Sequence, residues 1–158
     1  SPAATASRTR PSTIPRATPA VTKKARTIVA MTDSRARRSI GDRAEAAVRE
    51  YLTDGGFFIE GQNVRFGPLE IDIVARRAEL LVACEVRHRR ATGTQGALAS
   101  ITYAKRKTMV RAAQRLYFAR IKTDPTIERF RIDVAVVAFT PEGPKVEYFP
   151  GAVTADAG

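Results

Sequence analysis

Cysteine, histidine and tryptophan are nearly missing from this sequence. Its 158 residues include one cysteine, one histidine and no tryptophan. The single Cys84 cannot close an intramolecular disulfide, and no second cysteine is present to form a metal cluster with it. A chain of this length buries enough surface to fold without such cross-links. These absences favour one domain plus a tail, in a reducing, cytoplasmic setting.

Long apolar runs are missing as well. No stretch approaches the roughly 18 consecutive apolar residues of a membrane-spanning helix, so the sequence predicts no membrane segment. What the chain has in excess is positive charge, +11 at neutral pH. The excess is uneven, because residues 1–38 carry nine basic side chains and one acidic side chain, whereas residues 39–158 carry a net charge of only +3. The body of the protein is therefore only mildly basic.

Residues 1–38 are rich in Ala, Thr, Pro and Arg and poor in large apolar side chains. Such a composition cannot offset the entropy lost on ordering, so we predict a disordered basic tail. Three interpretations fit it: a nucleic-acid-binding arm that releases counterions from phosphates, an Arg-rich organelle transit peptide, or an upstream extension with Met31 as the native start. The third is the simplest, and it leaves open whether residues 1–30 belong to the native protein.

Residues 39–150 show the periodicities of one α/β domain, followed by a short tail at 151–158. A first helical pattern ends at Gly55-Gly56, and a second covers about 97–120. Short β-branched or aromatic runs predict five strands. They lie at 57–66, 70–75, 79–87, 129–140 and 146–149. The order α-β-β-β-α-β-β predicts a mixed β-sheet flanked by helices.

Acidic residues interrupt the second and third predicted strands, which are otherwise mostly apolar. Side chains alternate across a strand, so Glu70 and Asp72 should share one face while Ile71 and Ile73 share the other. On the next strand, Glu85 and Arg87 should share one face by the same alternation.

A hairpin of these two strands would bring the acids together. Asp72 faces Glu85 only in registers whose paired residue numbers sum to an odd value. The register that sums to 157 does this with a short loop around 77–80, and it puts Glu70 opposite Arg87. We therefore predict that three acids and one base converge on one patch.

Two opposed carboxylates repel each other at the roughly 5 Å separation of facing Cβ atoms. A divalent cation would convert that repulsion into a binding site, with the Val86 carbonyl and water completing an Mg²⁺ (or Mn²⁺) shell around Asp72 and Glu85. The alternative is an ordinary solvated sheet face, because an E-x-D and E-x-R pattern is common by itself.

Six segments between residues 40 and 139 resemble, in uninterrupted order, the YraN-like family of bacterial proteins. They read GDRAEAAVREYL, QNVR, EIDIVA, CEVRHRR, KRKTMVRAAQRLY and RFRIDV. The resemblance implies membership of the PD-(D/E)xK superfamily. It also implies a restriction-endonuclease-like fold similar to archaeal Holliday-junction resolvases.

The resemblance also implies roles for individual residues. Asp72 matches the metal-binding aspartate, Glu85 the second metal-binding acid, and Glu45 the helix carboxylate that often completes such sites. Asn63 and Arg65 match the family's N-x-R and are predicted to line the same groove.

Two departures from the family pattern affect the expected chemistry. Leu69 stands where the family usually has glycine, and Arg87 stands where these nucleases have a catalytic lysine. Arginine can clamp a phosphate with two hydrogen bonds but cannot act as a base. Lys105, on the second helix, stands where a replacement lysine would come from. The candidate catalytic residues are Asp72, Glu85, Arg87, Glu45 and Lys105.

Basic residues surround the predicted acidic site. His88 lies beside Arg89 and Arg90 at a strand end, where phosphate contact or simple surface exposure is expected. The run on the second helix is either a solvated face or a phosphate track. The predicted nucleic-acid-binding residues are Asn63, Arg65, Arg89, Arg90, Lys105, Arg106 and Lys107. Cys84 is expected to be a buried apolar residue, and Asp133 to be buried and paired with a base.

The sequence thus predicts a nucleic-acid-binding protein with a nuclease-like fold. One hypothesis is an Mg²⁺-dependent endonuclease acting on double-stranded or branched DNA. Another is a binding module that has lost cleavage, and a third is a domain that docks another protein through helix 101–120. A homodimer is compatible with the resemblance, because superfamily members often act as dimers, but no residue pattern indicates one.

Overall fold

The computed structural model describes residues 23–90 and 96–155. The chain divides into two units, Ser1–Ser34 and Arg35–Gly158. Of the first unit only residues 23–34 are described, and they are helical. Along the chain the element order is α-β-β-β-α-β-β, as predicted.

Helix α1 spans Lys23–Asp54 and so begins well before the predicted start at Ser39. Residues 23–38 contain no glycine or proline and are rich in Ala, Lys and Arg, all good helix formers. The prediction of disorder relied on missing apolar spacing, and for this segment it is wrong; residues 1–22 lie outside the described part. The predicted end is confirmed, because Gly56 adopts the left-handed conformation at φ 81° just after the helix.

Five strands lie side by side in chain order, from β1 at one edge to β5 at the other. Their bounds are Phe58–Phe66 (β1), Leu69–Arg77 (β2), Leu80–Arg90 (β3), Arg129–Thr140 (β4) and Gly143–Val153 (β5). Strands β3 and β4 pair parallel, and the other neighbours pair antiparallel. Helix α2 (Tyr103–Ile121) makes the crossover that a parallel pair requires. The predicted mixed sheet with flanking helices is confirmed.

Strands β2 and β3 form a hairpin in the predicted register. In every main-chain pair the residue numbers sum to 157, and the loop consists of Ala78 and Glu79, with Ala78 at φ 50°. The last pair is Ile73 with Cys84. Beyond this pair β2 separates from β3. The next pair in this register would have been Asp72 with Glu85.

The early end of this ladder overturns one predicted contact. Glu70 does not pair with Arg87, because the two strands have already separated there. Glu70 instead lies opposite Arg65 on β1, where the antiparallel pairing of β2 continues.

Each face of the sheet packs against one helix. One core cluster joins the α1 side chains Ala44, Val48 and Leu52 to one face of the sheet. The other joins α2 to the opposite face, through Met109, Ala112, Ala113 and Leu116. Neither helix is both long and apolar enough, over its described residues, to cross a membrane.

Strand β2 changes the face that it presents as it leaves β3. Leu69, Ile71 and Val74 pack in the cluster on the α2 side, whereas Ile73 and Ala75 pack in the cluster on the α1 side. The prediction that Ile71 and Ile73 share a face is therefore wrong. Strict alternation assumes an uninterrupted strand, and here it breaks at the residue between them.

Strand β5 is longer than the predicted 146–149. It runs from Gly143 to Val153, and Val153 is buried opposite Ile132 of β4. The folded domain therefore continues past the predicted boundary at residue 150. The prediction stopped early because proline and glycine usually break strands, but an edge strand tolerates both.

Candidate functional site

Asp72 lies at the point where β2 separates from β3. Its carboxylate Oδ2 accepts a hydrogen bond of 2.8 Å from the Val86 main-chain N–H on β3. Burial and, after it, the negative charge of Glu85 raise the Asp72 pKa, while the Val86 N–H and Lys105 lower it, and the resulting pKa is about 6. A half-buried carboxylate with such a pKa is short of positive partners.

Glu85 lies on β3 and is only 8% exposed. Its Oε1 is 2.8 Å from Lys105 Nζ, a contact that links the sheet to the first turn of α2. Thr102 is the N-cap of this helix, and its hydroxyl accepts a hydrogen bond of 3.2 Å from the Lys105 main-chain N–H. A lysine in a first helical turn opposes the helix dipole, so the buried carboxylate explains its position better than the helix does.

Glu45 reaches the same region from α1. Its Oε2 accepts a hydrogen bond of 3.3 Å from Asn63 Nδ2, on β1. Burial raises the Glu45 pKa, and the neighbouring charge of Asp72 raises it further. One helical turn on, Arg49 donates a 2.8 Å hydrogen bond to Gln62, the residue before Asn63. Two adjacent β1 side chains are therefore held by two α1 side chains.

Several predicted site residues contact other partners. Arg65 forms an exposed ion pair with Glu70 at 3.1 Å, and Arg89 forms one with Glu147 of β5 at 3.3 Å. Arg87 lies two residues after Glu85 and is half-buried. It forms no ion pair with any residue in the described part of the chain.

The remaining predicted basic residues lie along two elements. Arg90 is exposed at the end of β3, and Arg106 and Lys107 follow Lys105 on α2. His88 is exposed as well. The structure thus brings five of the predicted residues together: Asp72, Glu85, Lys105, Glu45 and Asn63. The other predicted residues make no contact with this group among those described above.

Sequence reasoning missed three residues that support this site: Arg49, Gln62 and Thr102. The i,i+4 spacing of Glu45 and Arg49 would have indicated a shared helix face. A threonine just before a helical pattern is a recognised N-cap signal, so the role of Thr102 could also have been predicted.

The donor set at this place is small. In the part of the chain that the structure describes, no group of three or more His, Cys, Asp or Glu side chains could hold a metal ion. What is present is a pair of carboxylates, Asp72 and Glu85, with one lysine beside them. Such a set can supply two carboxylate ligands to one hard cation, whose remaining coordination positions would be open to water or phosphate.

Two buried residues on the neighbouring strands behave as predicted. Cys84 is fully buried, and burial raises the pKa of its thiol. Asp133 is also fully buried and accepts hydrogen bonds from Arg131, Tyr148 and Gly151. The predicted pairing of Asp133 with a base is confirmed.

Comparison with known proteins gives a consistent result. The model of the family described as "Uncharacterised protein family UPF0102" matches residues 44–137. A UPF0102 protein of Sorangium cellulosum is 40% identical over 131 residues, which is 81% of this chain and 91% of the relative. The UPF0102 protein YraN of Salmonella agona is 37% identical over 116 residues, covering 73% of this chain and 85% of the relative. A UPF0102 protein of Symbiobacterium thermophilum is 40% identical over 108 residues, 67% of this chain and 87% of the relative.

Proposed function

The chain belongs to the uncharacterised protein family UPF0102, and we propose that it binds DNA and hydrolyses phosphodiester bonds with a divalent cation held by Asp72 and Glu85. One observation carries this proposal. Two repelling carboxylates on adjacent strands lie beside Lys105, whose Nζ is 2.8 Å from Glu85. The resemblance to PD-(D/E)xK nucleases supports the same assignment, because it gives the metal to the same two acids.

The chemistry of the donors fits Mg²⁺ or Mn²⁺. Both are hard cations that prefer oxygen ligands. Mg²⁺ in particular is commonly held by one or two carboxylates together with water and substrate phosphate, so Asp72 and Glu85 suffice without a third protein ligand. Burial and then the negative charge of Glu85 raise the Asp72 pKa, and Lys105 only partly offsets them. Glu45, whose pKa is raised in part by Asp72, supplies an outer ligand.

When bound, the cation polarises the scissile phosphate and lowers the pKa of a bound water. The protein's own residues do the rest. Lys105 keeps a positive charge next to Glu85, where it stabilises the negative charge that develops on the phosphate. Arg87, two residues along the strand, orients the phosphate through its planar guanidinium but takes no proton from water.

The shape of the site favours a polymeric substrate. The cavity beside Glu70, Glu85 and Met109 is only about 10 Å³, room for roughly one water molecule. Small-molecule sites usually enclose roughly 300–1,000 Å³. This cavity is therefore too small to enclose a small-molecule substrate, and the proposed substrate is one that contacts the acids from the surface, as the backbone of a nucleic acid does.

A second candidate function is a binding module on the same fold that has lost cleavage. The observation that favours it is Arg87 at the position of the usual catalytic lysine. Its head is longer and planar, and it needs room that a lysine-shaped site lacks. Under this alternative the acids are retained as part of a binding surface.

The first test is metal binding by the full chain, measured by isothermal titration calorimetry with Mg²⁺ and Mn²⁺. Asp72→Ala and Glu85→Ala should each abolish binding, and Glu45→Ala should weaken it less. Glu79→Ala is the matched control, because Glu79 is a hairpin-loop acid paired with Arg129 at 2.7 Å, at the other end of β3 from Val86. If both single variants bind metal as well as the parent, the site is misplaced.

The second test is cleavage of supercoiled, linear and four-way-junction DNA, with Mg²⁺ or with a chelator. The parent should cleave slowly and only with metal, and Asp72→Ala should not cleave. Arg87→Lys should raise the rate, and Lys105→Ala should abolish it if the helix supplies the functional lysine. A fast parent whose rate neither variant changes would remove both residues from the mechanism. DNA binding with no cleavage by any variant would favour the binding module.

A further inference from the structure

Helix α2 carries positive charge that the fold does not use. Its 19 residues include six basic side chains and no acidic one. Two of them pair with acids of the sheet, Lys105 with Glu85 and Arg120 with Glu60. The other four have no acidic partner among the described residues. They are Arg106, Lys107, Arg111 and Arg115.

These unpaired charges work against the helix. Lys107, Arg111 and Arg115 follow one another at i,i+4 spacing, where like charges destabilise a helix. The bases of the first turn also face the positive end of the helix dipole. A cost of this kind, unrelieved by any ion pair of the described residues, indicates an anionic partner outside the domain.

Two large aromatic residues lie on the same face as these bases. Tyr103 and Phe118 are each 58% exposed. Tyr103 is four residues before Lys107, whose Nζ lies 4.7 Å from the centre of its ring. Phe118 is seven residues after Arg111, again on the same face. One exposed line on α2 therefore carries Lys107, Arg111 and Arg115, with Tyr103 near its start and Phe118 near its end, on the helix face opposite the buried residues.

The far half of this line borders a groove of about 620 Å³. Arg111, Arg115, Phe118 and Lys122 line one side, and Phe66, the last residue of β1, lines the other. The groove thus has aromatic rings on both walls and three cations along one of them.

We propose that this face of α2 binds an unpaired nucleic-acid strand, with bases stacked on Tyr103 and Phe118 and phosphates on Lys107, Arg111 and Arg115. The proposal rests on the proposed function and names the substrate class of that site: DNA in which a single strand leaves a duplex. Bases in a duplex cover each other's faces, so only unpaired bases can stack on these rings. One i,i+4 step advances about 6 Å along the helix. This spacing lets successive basic side chains of α2 contact successive phosphates of an extended strand.

The test measures fluorescence anisotropy of labelled oligo(dT) of about 20 nucleotides, and of a duplex of the same length, with the full chain in a chelator. Phe118→Ala should weaken oligo(dT) binding roughly fivefold or more, the loss expected for one stacked base, and leave duplex binding unchanged. Arg111→Ala should weaken both, and it should lower the salt slope by about 1. Phe58→Ala is the matched control, because Phe58 is 71% exposed at the opposite end of β1 from Phe66.

The outcomes separate this inference from the proposed function. Duplex and junction binding with no effect of Phe118→Ala would overturn the single-strand track and leave the proposed function standing. Equal losses for Phe58→Ala and Phe118→Ala would also overturn it. Absence of binding to every nucleic-acid probe would overturn both, and would point to an acidic protein as the partner of α2.

Discussion

Two acidic residues, Asp72 on β2 and Asp133 on β4, lie on strands separated by β3, and they differ in how well their charge is satisfied. Asp133 on β4 is fully buried and accepts four hydrogen bonds on its two oxygens. They come from Arg131 Nε at 2.7 Å, Arg131 Nη2 at 2.8 Å, the Tyr148 hydroxyl at 2.5 Å and the Gly151 N–H at 2.8 Å. The hydrogen bonds to Asp133 raise the pKa of Arg131, and burial together with the hydrogen bond to Asp133 raises the pKa of Tyr148.

Asp72 on β2, by contrast, has few hydrogen-bond donors to match its negative charge. Its carboxylate has one hydrogen bond from the Val86 main chain, and it lies near the negative charges of Glu85 and Glu70. Its neighbour Glu85 is only 8% exposed and Asp133 is fully buried, so burial alone does not distinguish the candidate site from a structural carboxylate. The distinguishing property is whether the donors around the carboxylate match its charge, because an unmatched charge is available to a ligand.

The largest expected effect comes from disrupting the Asp133 network, whose charge is satisfied. Asp133→Asn removes the charge that Arg131 and Tyr148 face, and it leaves a buried network partly unpaired. We expect a loss of about 3 kcal/mol of folding free energy, or roughly 10 °C in Tm. Thermal denaturation monitored by circular dichroism measures it. Glu79→Gln, which removes only an exposed ion pair, is the control and should shift Tm by less than about 2 °C. A loss for Asp133→Asn no larger than that of the control would contradict the comparison.

An intermediate effect should appear in the pH dependence of stability, measured in a chelator. The Asp72 pKa is about 6 in the folded protein, above the 3.8 of an unperturbed aspartate. Between these values the folded protein holds a proton that the unfolded chain has lost, so stability should fall as pH rises through this window. The charges facing Asp72 are Glu85, Glu70 and Lys105, and Glu45 shares its field.

The difference between parent and Asp72→Asn isolates this effect from other acids. We expect the parent to lose about 1–2 kcal/mol more than the variant between pH 4 and pH 6, since coupling to Glu85 and solvent screening reduce the full linkage value. Chemical denaturation at each pH measures the difference. Parallel curves would show that Asp72 is as well satisfied as Asp133.

The smallest expected effect comes from Glu70. Its charge has the smallest of the resolved effects on the Asp72 pKa, and its own carboxylate is paired with Arg65 at 3.1 Å. Glu70→Gln should lower the Asp72 pKa by only roughly a few tenths and leave stability within about 0.5 kcal/mol of the parent. Carbon-detected NMR titration of the Asp72 carboxyl measures it. Glu85→Gln should lower that pKa further, and the reverse order would mean that Glu70 is the main source of repulsion.

Much of the sheet could be predicted from the sequence, because it depends on local patterns. Alternation and a short loop fixed the register of β2 and β3, and the apolar run of β4 gave its bounds at Arg129–Thr140. The switch of faces between Ile71 and Ile73 could not be predicted in this way. It depends on where β2 leaves one neighbour while staying with the other, which is a property of three strands together.

The contacts of the candidate site also fall into those that local sequence patterns predict and those that depend on tertiary packing. The proximity of Asp72 to Glu85 follows from register, so sequence reasoning could reach it. The 2.8 Å contact of Lys105 with Glu85 depends on how the crossover helix packs on the sheet, and residue spacing carries no such information. Residue spacing does not predict the hydrogen bond of Asn63 with Glu45 either, since it joins the first helix to the edge strand, and only the family resemblance placed both residues at the site.

The hydrogen bond between Val86 and Asp72 has a consequence for measurement. Here the Asp72 carboxylate, and not a main-chain carbonyl, accepts the hydrogen bond from the Val86 N–H of β3. The strength of that bond therefore follows the ionisation and ligation of Asp72, unlike the bonds of an ordinary ladder. The Val86 amide resonance, and its rate of deuterium exchange, would act as a built-in spectroscopic reporter of the site without any added label.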